Sequence, residues 1–227
     1  MPHRVILLHG FGCDGAFWAP QLAALQAAGH EVSAPDLPYH GGPVAGVAPS
    51  LQALAGWVLE ASGGGPTVLA GHSMGGMIAL QAARERPDLV SALVLVDAFP
   101  SLAVNAAVLP GMFAPDTDPA LRRWIERERE RVVAGMGPGA HDALWETVRA
   151  FDAGPWLPEI ACPLLGIYGG RGMWREDDAA RLRRDLTLDR VRGPVSLAVV
   201  PAAGHFVGLE YPEVVNRLMV DWLSALR

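Results

Sequence analysis

The sequence predicts an α/β fold: a doubly wound, mostly parallel sheet of about six strands, with helices on both faces and a helical cap insertion. Three observations carry that expectation. Short apolar runs alternate with segments of helical spacing along most of the 227 residues. The strand-like runs are continuously apolar, as in parallel sheets covered on both faces. The composition is 51% hydrophobic, enough for one sizeable core.

Taken in order, RVILLH (4–9) reads as a buried strand. A helical pattern follows, with Phe17, Trp18, Leu22 and Leu25 at three-to-four spacing and Asp14 as candidate N-cap. HEVSAPD (30–36) is a second strand, and SLQALAGWVLEA (50–61) is a helix after a Pro/Gly-rich stretch. TVLAGH (67–72) is the third strand, and MIALQAARER (77–86) is a helix closed by Pro87. LVSALVLVDA (89–98), PLLGIYG (163–169) and VSLAVV (195–200) are the remaining strands. Helices are expected near 176–186 and over 212–226. Residues 99–158 break the rhythm, with helical patterns at 120–134 and 140–151 but no strong strand. The expected organisation is a core of 1–98 and 159–227, with 99–158 inserted as a cap. The run ERERER (126–131) reads as a solvated helix face.

The chemistry concentrates at strand ends. Gly71-His72-Ser73-Met74-Gly75 is G-x-S-x-G at a strand-to-helix junction. A sharp turn there holds the Ser73 hydroxyl clear of the sheet, and glycines on either side relieve the crowding. A serine needs a base within hydrogen-bond reach. His205 is the candidate, on the loop after the last strand, at the edge where ligands gather in open α/β sheets. His72 reads as structural, and His3, His30, His40 and His141 as turn or surface residues. Oxyanion stabilisation calls for preorganised amides. Met74, after the serine, and Phe11, in the His9-Gly10-Phe11-Gly12 loop, are the candidates.

These motifs resemble the α/β-hydrolase superfamily: HGFG after the first strand, DLPYHG (36–41) after the second, GHSMGG at the elbow and GHF near the end. DLPYHG is similar to the family's D-x-P-G-x-G loop, with Tyr39 and His40 in place of the usual glycine and its neighbour. The resemblance covers the chain apart from the insertion, which corresponds to the family's variable cap. With the HG motif at residue 9, the family's two leading antiparallel strands are not expected. The implied activity is that of a serine esterase working through a catalytic triad.

The triad acid is the open point. The resemblance places it after the strand that follows the cap, where this chain has Gly172. Two candidates remain. Asp97 ends the strand before the cap, as in the family's haloalkane dehalogenases and a lactonase branch. Asp177 or Asp178 stands a few residues past Gly172, where helix capping is an alternative role. A chain with no functional acid is the third possibility.

Phe11, Phe99, Trp124 and Phe206 are the candidate substrate-binding residues, and they point to an apolar ester, lactone or thioester. A slow ligand-binding or receptor-like member and a C–C bond hydrolase or lyase are the alternatives. The chain has no lysine, which excludes a lysine Schiff base. The histidines lack metal-ligand spacing, so no metal and no cofactor are expected. The formal net charge of −6 gives no electrostatic case for nucleic acid. No leader peptide or membrane-spanning stretch is read in the sequence, so a cytoplasmic protein with a small-molecule substrate is expected. Cys13 and Cys162 read as buried free thiols.

Overall fold

The computed structural model describes residues 1–42, 44–101, 112–137, 139–170 and 176–226. Six strands, β1 (Arg4–Leu8), β2 (Glu31–Ser33), β3 (Thr67–His72), β4 (Val90–Val96), β5 (Leu164–Gly169) and β6 (Val195–Val200), form one sheet. Its order is β2-β1-β3-β4-β5-β6 and every pairing is parallel. The order reverses direction between β1 and β3, the switch point where open α/β sheets bind ligands.

Among the described residues the α-helices are α1 (Ala19–Ala27), α2 (Leu51–Ala61), α3 (Met74–Glu85), α4 (Pro119–Gly135), α5 (Ala140–Ala150), α6 (Ala179–Asp185), α7 (Val207–Glu210) and α8 (Pro212–Ala225). Successive side chains of a strand point to opposite faces, and the core divides accordingly. Val5 and Leu7 join Leu25 of α1 and Val215, Met219 and Leu223 of α8 on one face. Ile6 and Leu8 join Leu54 and Val58 of α2 and Ile78 of α3 on the other.

Local chemistry sets the boundaries. Asp14 accepts from the Ala16 amide, as its N-cap reading predicts, but it opens a 3-10 turn, Gly15–Trp18. The α-helix begins only at Ala19, with Pro20 in its first turn, where proline fits best. Helix α3 starts at Met74, three residues before the apolar pattern alone indicated, because the elbow turns directly into it. Tyr39 holds φ at 70°, the left-handed conformation that glycine adopts most easily, and its hydroxyl donates to the Val47 carbonyl at 2.5 Å.

The elbow itself depends on two close approaches. A Cβ on Gly71 would lie 2.2 Å from the Gly75 carbonyl carbon. One on Gly75 would lie 2.1 Å from the Leu8 carbonyl oxygen. Helix α3 therefore rests directly on the backbones of β1 and β3.

Two alanine substitutions read this packing. Gly75→Ala must displace a strand backbone and is expected to cost about 3 kcal/mol or more. Gly56→Ala, inside α2 with nothing within 4 Å of its added Cβ, should instead stabilise by about 0.5–1 kcal/mol. Urea unfolding of both variants checks the opposite signs.

Candidate active site

Ser73 sits between β3 and α3 with φ 53° and ψ −120°. Such a backbone costs a non-glycine residue about 1–3 kcal/mol and persists only when its surroundings impose it. Asp97, one residue past β4, also has a positive φ, 45°. Its amide donates to the Ile167 carbonyl at 2.8 Å, and its Oδ1 accepts from the Gly169 amide at 3.0 Å. The Asp97 carboxylate is fully buried, and its Oδ2 lies 2.6 Å from His205 Nδ1. The structure thus brings Asp97 to His205. Asp177 is exposed, and Asp178 stands at the N-terminal boundary of α6 without a side-chain cap. Gly172, at the position where the sequence comparison placed an acid, lies outside the described residues.

His205 is held from several directions. Its amide donates to the Met112 carbonyl at 3.1 Å. Its own carbonyl accepts from His72 Nε2 at 2.8 Å, and the two rings lie 4.6 Å apart. One residue before it, the Gly204 amide donates to Glu210 Oε2 at 2.5 Å. The other Glu210 oxygen accepts from the Ala114 amide at 2.8 Å and the Thr117 hydroxyl at 2.6 Å. Glu210 was not singled out in the sequence. Its signal there is faint: a carboxylate five residues past a candidate histidine, on an otherwise apolar turn.

Phe11 lies in a turn closed by the Cys13 amide on the Gly10 carbonyl at 3.1 Å, with Gly12 at φ 68°. In such a turn the amide of the second residue is not used by the closing bond. His9 anchors this loop from below. The Leu37 amide donates to His9 Nε2 at 3.0 Å, so the ring proton sits on Nδ1 and is donated to the Gly10 carbonyl, also at 3.0 Å. His40 lies at a turn, as expected, yet is only 1% exposed, its ring tilted against His9 with centroids 5.1 Å apart and edge-on to Phe11. Burial lowers the His9 and His72 pKa values from 6.5 to about 3, so both rings stay neutral. Burial pushes the Cys13 thiol up to about 12, which leaves it protonated.

A cavity of about 230 Å³ opens at this edge of the sheet. Ser73, Met74, His205, Phe11, Phe99 and Phe206 all line it. Trp124 does not. It packs on Phe17, ring centroids 5.1 Å apart, in a small cluster with Ile125 on the flank of the site. The substrate-binding expectation for Trp124 is therefore corrected: the phase of α4 turns that face toward Phe17. The same phase brings Arg129 to the cavity wall and pairs Arg131 with Asp14, so ERERER is not wholly a solvated face. Trp145 of α5, Met77 and Met112 also line the cavity, and no motif in the sequence marks them.

A model of the Alpha/beta hydrolase family matches residues 5–218. The chain is similar to the (E)-2-((N-methylformamido)methylene)succinate hydrolase of Acinetobacter baylyi, at 27% identity over 242 residues, 97% of this chain and 90% of that protein. It is similar to the lipase LipV of Mycobacterium tuberculosis at 34% identity over 204 residues, 84% of this chain and 70% of that protein. Among solved structures it resembles a thermophilic esterase from Thermogutta terrifontis with malate bound. The TM-score is 0.77 and the identity 25%, over 100% of this chain and 91% of that one.

Two outcomes are expected from this geometry. The unfolded chain binds protons at His9 and His72 near pH 6.5, whereas the folded chain does so only near pH 3. Stability is therefore fully present above 6.5 and falls as the pH drops below it, by up to about 1.4 kcal/mol per pH unit for each ring. Urea unfolding between pH 7.5 and 5 measures that slope, which should shrink in His9→Gln. Separately, Glu210→Ala strands the Gly204 and Ala114 amides, while the Thr117 hydroxyl keeps the Ala114 carbonyl as acceptor, and should lower stability by about 2–3 kcal/mol, read in the same assay.

Proposed function

Because the chain belongs to the alpha/beta hydrolase family, we propose that it is a serine hydrolase that cleaves small carboxylic esters, lactones or thioesters by acyl transfer. The observation that carries this reading is the 2.6 Å bond between His205 Nδ1 and the buried Asp97, in a site whose cavity also holds Ser73. With Nδ1–H donated to Asp97, His205 presents Nε2 as a base. Ser73 Oγ gives its proton to Nε2 as it attacks the substrate carbonyl. The carbonyl oxygen takes on negative charge and is held by the amides of Phe11 and Met74. His205 then protonates the leaving group. Water repeats the sequence and releases the acid, regenerating Ser73.

Asp97 fixes the imidazole and stabilises its cation, a role that glycine at 172 cannot fill. His72 and Glu210 position His205 from behind and take no part in proton transfer. Residues 99–158 act as the cap, whose inner wall selects the substrate. The apolar lining from Phe11, Phe99, Met77, Trp145 and Val148 favours a compact apolar acyl or alcohol group.

Turnover of short p-nitrophenyl esters tests the assignment. Ser73→Ala should abolish it and also abolish labelling by a fluorophosphonate. Asp97→Asn, which keeps the shape but misorients the imidazole, should lower kcat by about 10⁴. Asp178→Asn should leave kcat within about threefold of wild type, as expected of a residue away from the chemistry. Undiminished turnover in Asp97→Asn would falsify the role given to that carboxylate.

A further inference from the structure

One charged side chain in the cavity has no part in the mechanism above. Arg129, on α4, lines the same wall as Phe11, Met112 and Trp145. Its Nε is buried and has no hydrogen-bond partner. Among the described residues no carboxylate lies within ion-pair distance of its guanidinium. The nearby acids are engaged elsewhere: Glu126 with Arg122, Glu128 with Arg127 and Arg131, and Asp14 with Arg131. The adjacent Cys13 thiol is protonated and supplies no counter-charge. The arginine lies against its neighbours, with Cζ 5.9 Å from the Phe206 ring centroid, Nε 3.7 Å from where a Cβ on Gly12 would stand, and its guanidinium in hydrogen-bond contact with the neutral Cys13 thiol.

A guanidinium set into an apolar wall is costly unless an anion completes it. Its planar fork matches a carboxylate, which it can bind through two parallel hydrogen bonds. Apart from Ser73, His72, His205 and Cys13 the remaining lining is apolar, and the cavity of about 230 Å³ lies below the roughly 300–1,000 Å³ of drug-sized pockets. We infer that Arg129 receives a carboxylate on the substrate, and that the preferred substrates are short esters or lactones carrying a free acid group, such as half-esters of small dicarboxylic acids. This rests on the hydrolase reading and narrows its substrate class. It also modifies the purely apolar substrate that the sequence suggested, because this cation among the aromatics was hidden within a charged helix run.

The test compares two p-nitrophenyl esters of equal acyl length, the neutral pentanoate and the anionic mono-glutarate. Wild type should favour the glutarate ester in kcat/KM, by about tenfold or more, chiefly through KM. Arg129→Met should erase most of that ratio, and Arg129→Lys, which keeps the charge and the stem, should retain part of it. The Lys variant and wild type still decide the question if Arg129→Met fails to fold. Equal ratios in wild type and Arg129→Met overturn the inference, as does a parallel fall in both substrates. A second readout separates this failure from failure of the hydrolase reading. Free glutarate should raise the Tm of Ser73→Ala, and the shift should vanish when Arg129→Met is added. Absence of that shift at saturating glutarate overturns the carboxylate site even if Ser73 proves to be the nucleophile.

Discussion

The hydrogen bond between His205 and Asp97 joins residues 108 positions apart in the chain, and the candidate site depends on it. Neither partner is held by its own element alone. Asp97 sits at a strand end in an unfavourable backbone conformation, fixed by the ladder to β5 and by the Gly169 amide. His205 is steadied by His72 behind it and by the Met112 carbonyl above. A parallel sheet makes this convergence possible. All its strands deliver their carboxyl ends to one edge, so residues from β1, β3, β4 and β6 meet without any segment being redirected.

Much of this was legible in the sequence. Apolar runs mark β1, β3, β4 and β5, which are buried along nearly their whole length, whereas the edge strands β2 and β6 are partly exposed. The glycines at 71 and 75 signal an approach too close for any side chain, so the elbow was visible as a pattern. The choice of acid was harder. A lone aspartate at the end of an apolar strand looks the same whether it faces a histidine or a helix terminus, and only the position of β4 beside β5 separates the cases. The insertion was harder still. Periodicity identifies a helix but not the direction from which it is approached. Trp124 and Arg129 lie five residues apart on α4, and nothing local says that the tryptophan covers Phe17 while the arginine lines the cavity.

Buried polar groups around the site form layers. His9 and His72 are both neutral and both donate a ring N–H to a backbone carbonyl, one under the Phe11 turn and one under His205. Two loops that would carry the reacting groups are thus pinned by the same chemistry. Imidazole suits this work because it can be buried without charge and still offers a donor on one side and an acceptor on the other. His9 uses both, bonding Leu37 and Gly10 together.

Glu210 adds a mechanical relation. Through it the loop bearing His205 and the stretch around Ala114 and Thr117 share one carboxylate, while Met112 holds the His205 amide. The rim of the cavity at Met112 and the backbone that carries the imidazole are thus tied to each other twice, once through a carboxylate and once through an amide, so the shape of the mouth and the seat of the base are set together.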